Sequence, residues 1–407
     1  MTAAGARAVV AAAGVGVAAT TVAAAVIVRT AGIDAAGSPI TPPTAAGRAA
    51  FIAVVVTAFV LYACAAVLAP RAERLLPFAL AAAAAIQLAP LIAPLLLSRD
   101  VHAYWDYGRL ASVHHVNPYV TPPSAFPDDP AYPLMGDTWH DTPTIYGPVW
   151  TLVAAGHAAV VGDSPSVASY AYRILAAAAL LAVVVLAAVT ATERVFAAVF
   201  VGWNPLLALH FAGGGHNDAL MLLLVVAGVA LYARGRAAEG AAAWTVSIFV
   251  KWISAPLLLL HLVARRRRGE PLGARGAAVA AAAVAVVATA VWAFEWLRAF
   301  RGLSSQVRRT GSIGPAAWLD DLGVPYRGII LVLALAGVCA GILLLREARR
   351  GRARLALAAC VMAFVQPWLN PWYAVWGVSL AAIERDRAAR IFAVALTALL
   401  LRDALPF

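Results

Sequence analysis

Lysine is almost missing from this chain. Of 31 lysines and arginines, only Lys251 is a lysine. Charge of either sign is scarce, at 13% of 407 residues against 63% hydrophobic, and mean hydropathy is +0.83. Soluble proteins carry about twice that charged share, so the composition excludes an ordinary soluble domain. There are three cysteines, Cys64, Cys339 and Cys360, each inside an apolar run. They support neither a disulfide framework nor a thiolate metal centre. No P-loop, GxSxG, HExxH or CxxC is present. ATP hydrolysis, serine hydrolysis, zinc proteolysis and thiol redox chemistry therefore have no sequence support. The net charge of +11 sits in short arginine loops, as the positive-inside tendency requires, and points to no nucleic acid.

What is present is apolar run after apolar run, several of them near the roughly 20 residues needed to cross a bilayer. The expected fold is all-α, a polytopic transmembrane helix bundle with about 11–13 membrane segments, some half-length. One integral membrane domain is expected over 1–407. The first run, Ala8–Val28, is longer than a signal-peptide core and reads as the first membrane helix. Basic loops at Arg71/Arg74, Arg234/Arg236, Arg265–Arg268, Arg346–Arg354 and Arg385–Arg390 mark an inner face. Counting from them puts a long first loop (98–146), with short interfacial helices, and a second loop (292–327) outside. Gly235 to Arg268 begins and ends inside, yet is too short for two full crossings. Two half-length helices meeting near Lys251-Trp252 resolve this, and a second break is expected at Asn204-Pro205. Broken helices survive in a bilayer only where protein or a cavity surrounds them, so a polar cavity near the outer leaflet is expected.

Five places could carry chemistry. Asp100, in "SRDVHAYWDYGR", is either a solvated helix cap or a group placed for chemistry at the membrane surface. Tyr104, Asp106 and Tyr107 beside it suit a sugar, whose ring offers a C–H face and a rim of hydroxyls. In "GGGHNDALM", His216, Asn217 and Asp218 either cap an apolar helix or meet a hydroxyl-rich ligand there. Lys251 is either a snorkelling lysine or a phosphate contact. Arg301, Arg308 and Arg309 lie outside against the charge rule and suit a lipid headgroup or a phosphate. "QPWLNPWYAVW" (Gln366–Trp376) is an aromatic belt or a cavity wall.

"LSRDVHAYWDYGR", "NPY" (Asn117–Tyr119), "YGPVW" (Tyr146–Trp150), "NPLLALHFAGGGHNDALM" and "NPWYAVW" follow one another in this order. Together they resemble the GT-C membrane glycosyltransferases. The closest likeness is to the polyprenol-phosphate-mannose-dependent α-1,6-mannosyltransferases of actinobacterial cell envelopes. The resemblance implies a GT-C-like bundle in the cytoplasmic membrane with its active site on the extracytoplasmic face. It implies a polyprenyl-monophosphate sugar donor, most simply mannose, and a glycan or glycolipid acceptor. It also implies that the aspartate matching the family's general base is Asp100. A cation is then wanted at the leaving phosphate: Lys251, Arg308 or Arg309. Direct displacement inverts the anomeric centre. A monophosphate leaving group makes a metal less necessary, so no metal and no cofactor are expected. Partners are then the donor, the acceptor and membrane lipid, with no nucleic acid. The alternatives are another polyprenyl-phosphate sugar (arabinofuranose or glucose), a flippase of lipid-linked sugars, or a partner subunit without catalysis. Flippases commonly carry internal repeats, and none is visible here.

Overall fold

The computed structural model describes residues 2–30, 44–300 and 311–405. It is all-α, and no sheet forms among the described residues. The chain opens with α1 (Ala3–Thr30), α2 (Ala45–Leu68) and α3 (Leu76–Leu88), then α4 (Asp100–Ser112), α5 (Pro148–Val161) and α6 (Pro165–Thr190). A bent pair, α7 (Arg194–Gly202) and α8 (Pro205–Phe211), is followed by α9 (Asp218–Ala233), α10 (Ala237–Val250), α11 (Ala255–Arg267) and α12 (Ala274–Trp292). The last elements are α13 (Pro315–Asp321), α14 (Tyr326–Arg349), α15 (Leu355–Phe364), α16 (Ala374–Ile383) and α17 (Arg387–Leu401). Six helices are long and apolar enough to cross a membrane, or seven if the bent pair counts as one span. This is a multi-pass membrane bundle.

Helix contacts are made largely by alanine. Ala176, Ala179, Ala187 and Ala188 of α6 and Ala197 and Ala198 of α7 are buried. Small side chains let backbones approach, which is how helices associate in lipid, where apolar burial alone gives no driving force. The outer faces of α12 and α14 stay apolar and uncovered, as at Val286 (68% exposed) and Leu331 (60%). That is the surface a lipid environment accepts.

Both expected helix breaks are present, and both are satisfied internally. At Asn204-Pro205 the axis bends by 53°. The Asn204 side chain accepts from the Leu206 and Leu207 N–H groups, and the buried Gln87 amide donates to the Gly202 carbonyl at 2.9 Å. At Lys251 the chain reverses instead. Trp244 Nε1 donates to the Ser254 carbonyl (3.2 Å), and the Ser247 and Ser254 hydroxyls meet at 2.9 Å. These bonds close a hairpin of two half-length helices, α10 and α11.

Ion pairs and hydrogen bonds join the basic loops at one end of the bundle. Arg268 donates to the Gly351 carbonyl, Arg354 grips Asp386, and Arg390 reaches Glu193. From that end α10 and α15 run toward Lys251 and Gln366, while α9, α11 and α16 return to it. The other ends of these helices meet around one cavity.

Candidate active site

Asp100 is the first residue of α4, and its position is set by the segment before it. Leu97 takes a left-handed conformation (φ 63°) that turns the chain, and the Ser98 hydroxyl accepts from the Asp100 N–H at 3.1 Å. Leu96 N–H donates to the Gly213 carbonyl, joining this segment to "GGGHND". The buried Arg173 of α6 reinforces the joint, donating to the carbonyls of Pro90, Ala93 and Ala212. Gly215 (φ 71°) completes the turn. A Cβ there would lie 2.5 Å from Val101, so glycine is required on two counts.

This turn delivers His216 to Asp100. The His216 Nδ1 lies 3.4 Å from the Asp100 Oδ2, with the imidazole fully buried and the carboxylate 20% exposed. The imidazole is clamped face to face on Trp372, ring centroids 3.7 Å apart at 15°. Tyr104 Oη donates to the same carboxylate oxygen at a long 3.5 Å. Burial pushes the Asp100 carboxyl up. His216, the Lys251 charge and Ser98 outweigh burial and hold it below the ordinary carboxylate range.

Lys251 comes from the tip of the α10–α11 hairpin. Its ammonium meets Asp218 Oδ2 at 2.7 Å, and Trp376 Nε1 donates to the other oxygen, Oδ1, also at 2.7 Å. Asp218 is fully buried, whereas the lysine side chain remains 20% exposed. It faces the Tyr373 ring at 5.3 Å. The hairpin tip can come this close because Gly147 of "YGPVW" lacks a side chain. A Cβ there would sit 2.0 Å from the Phe249 carbonyl oxygen.

Asp100 and Lys251 share a cavity of about 780 Å³. Part of its lining is apolar, made by Trp252, Ile253 and Pro256, and part is aromatic and polar, made by Asp137, Thr138 and Trp139 of the first loop with Gln366 and Trp368. "QPWLNPWYAVW" is thus a cavity wall, and Tyr146 of "YGPVW" belongs to it too.

The other sequence candidates divide. Tyr104 is buried edge-on against Tyr146, Trp150 and Tyr172, behind the wall. His216, Asn217 and Asp218 likewise sit behind it. Asp106 and Tyr107 are not brought to the cavity. Tyr107 donates to the Thr142 carbonyl (2.8 Å), and Asp106 is buried, its carboxyl pushed up to about 7 by burial and then by Asp129, with Arg109 opposing. Arg301, Arg308 and Arg309 lie outside the described residues. Trp372, Trp376 and His210 also belong to the site and were not singled out one by one. The doubled Pro-Trp of "QPWLNPWYAVW" was the available signal. Among the described residues no three His, Cys, Asp or Glu side chains gather as metal ligands do.

No solved structure matches the chain. "Alpha-(1->6)-mannopyranosyltransferase A" of Mycobacterium tuberculosis is 32% identical over 357 residues, 78% of this chain and 67% of that protein. The protein of the same name from Corynebacterium glutamicum is 27% identical over 334 residues, 70% of this chain and 66% of its own length. This chain therefore spans about two thirds of both relatives. Residues 2–268 match the family model described as "Alpha-(1->6)-mannopyranosyltransferase, N-terminal domain". The chain belongs to this alpha-(1->6)-mannopyranosyltransferase family of GT-C membrane glycosyltransferases.

Proposed function

We propose that the protein transfers mannose from a polyprenyl-phosphate donor to a hydroxyl of a glycan or glycolipid, with Asp100 as general base and inversion at the anomeric carbon. The observation that carries this reading is one cavity holding both an ionised carboxylate and a part-exposed ammonium. The acceptor hydroxyl oxygen attacks the anomeric carbon while its proton passes to Asp100. The bond from that carbon to the phosphate oxygen breaks, and its electron pair leaves with the polyprenyl phosphate. Lys251 stabilises the charge developing there. Asp218 and Trp376 hold the ammonium in place and leave its remaining N–H donors for the phosphate. The polyprenyl chain leaves the cavity past its apolar lining, along Pro256 and the exposed Leu259 of α11. The basic loops at the far end of the bundle support a cavity on the extracytoplasmic face of the cytoplasmic membrane.

The test is mannose transfer from polyprenyl-phosphate mannose by the purified protein in lipid. Asp100→Asn is expected to lower kcat by about 10²–10⁴ with donor affinity kept. Wild-type rates in both Asp100→Asn and Asp100→Ala would remove Asp100 from the mechanism.

A further inference from the structure

The polar part of the cavity lining contains two indoles with no part in the chemistry above. Trp139 and Trp368 stand nearly parallel, ring centroids 6.3 Å apart at 25°. That is offset stacking, and it makes one stepped aromatic shelf. The two rings come from distant segments, each fixed in place. The turn Asp137–Trp139 is closed by Trp139 N–H to the Gly136 carbonyl (2.8 Å), and the Trp139 carbonyl accepts from Thr142 N–H. Trp368 follows a Pro367 whose carbonyl accepts from Gly311 N–H, and its own carbonyl accepts from the Asn370 amide (3.5 Å).

Tryptophans of a membrane protein commonly belong to an interfacial belt on its outer surface. Trp318 (44% exposed) has that exposure, alongside Phe294 (71%). Trp139 and Trp368 differ, being only part-exposed and facing a cavity. Beside them stand Asp137, Thr138 and Gln366, groups that accept and donate hydrogen bonds. An aromatic plane with a polar margin complements a pyranose, which has an apolar C–H face and hydroxyls around its edge. A polyprenyl chain matches the apolar part of the lining, where Trp252, Ile253 and Pro256 offer no such margin.

We infer that the Trp139–Trp368 shelf is an acceptor subsite, holding the pyranose units that precede the one receiving the new sugar. This rests on the proposed transfer reaction and adds to it the side chains that meet the acceptor, whose pyranose units must number at least two to reach both the shelf and the base. Asp100 lines the same cavity as the shelf, where a base can take a proton from an acceptor held on it.

Two measurements on the full chain in lipid test it. The first is initial rates with octyl glycosides of one and of three α-(1→6)-linked mannoses. Trp139→Ala or Trp368→Ala is expected to raise KM for the three-unit acceptor about tenfold, with much less effect on the one-unit acceptor and none on donor KM. Trp139→Phe and Trp368→Phe keep an aromatic face and recover most of the loss. The second is fluorescence titration with the free α-(1→6)-mannotriose and no donor, where the alanine variants are expected to weaken binding by a similar factor. Equal KM increases for both acceptors, a matching rise in donor KM, or unchanged titrations would overturn the subsite. Absence of wild-type transfer would count against the proposed reaction alone, since the titration still decides the shelf.

Discussion

Two buried ion pairs in this protein use the same chemistry to opposite ends. In the first loop, Arg109 of α4 donates to both oxygens of Asp129 (2.8 and 2.9 Å), to Asp163 (2.7 Å) and to the Gly162 carbonyl. Asp129 also meets His114 Nε2 at 2.6 Å and accepts from the Ala131 N–H. The Nε and Nη1 donors of the planar guanidinium are all engaged, and two elements are tied through one side chain. At the cavity, Lys251 has one hydrogen-bond partner among the described residues, Asp218, with the Tyr373 and Trp376 rings beside its ammonium. An arginine fork locks a loop, whereas a lysine tip with spare donors stays available to a ligand. The use of the chain's single lysine at this position fits that division.

The largest effect is expected where the closed pair is opened. Arg109→Met leaves Asp129 buried without its main partner, a loss of about 3–5 kcal/mol, read as a fall in thermal midpoint in lipid or detergent. Next comes the open pair. Lys251→Met also strands a buried carboxylate, so the informative protein is Lys251→Met with Asp218→Asn, which removes both charges. Stability is expected to recover in this double variant, while kcat/KM for the donor stays down about 10²–10³. Pairing Arg109→Met with Asp129→Asn recovers less, because Asp163, His114 and the Gly162 carbonyl still lose a partner. If the Lys251/Asp218 double variant stays unstable or uses donor normally, the two pairs are alike and the contrast fails.

How far the sequence reveals these two regions depends on what kind of signal each leaves. A proline or a lone ammonium inside an apolar run is conspicuous because a bilayer tolerates neither casually. The breaks at Asn204-Pro205 and Lys251-Trp252 were therefore legible, and so was the cavity they imply. Asp218 as the counter-ion of Lys251 was not, because only tertiary packing brings α9 against the tip of the α10–α11 hairpin. The stack of His216 on Trp372 was hidden for the same reason. Asp106 and Tyr107 show a different limit. Reading a helix face requires one apolar and one polar side, but every residue of α4 from Val101 to Leu110 is buried. Its polar residues serve the cavity, the loop core and its neighbours at once, so periodicity could not assign them.

His216 sharpens the contrast from the cavity side. It packs beside Asp100 together with Ser98, Tyr104, Tyr146, Lys251 and Tyr373, and it is the first of the neighbours that hold the Asp100 carboxyl down against burial. In His216→Gln burial meets less opposition, so that carboxyl titrates at higher pH. A base must be ionised to act, so the acid limb of kcat/KM should move to higher pH, with activity approaching wild type above it. An unmoved limb would mean that His216 only fills space. The phenotype of a merely structural role is uniform loss at all pH values.

The smallest effect is expected from Asp106, and it tests whether α4 is divided as the structure has it. One of its oxygens is buried with no hydrogen-bond partner. Its carboxyl titrates at about 7 in the fold, against 3.8 for a free side chain. Between those values the folded state binds the extra proton, so wild-type stability falls as pH rises from about 4 to about 7 and levels off above it. Asp106→Asn removes this contribution. It should flatten the slope and leave the variant more stable than wild type at pH 8, with little difference at pH 4. Transfer kinetics should not change, because the residue faces Arg109 and Asp129 and lies away from the cavity. If donor or acceptor KM instead rises in Asp106→Asn while the stability profile keeps its slope, this carboxylate touches sugar, and the loop core and the cavity are one functional region.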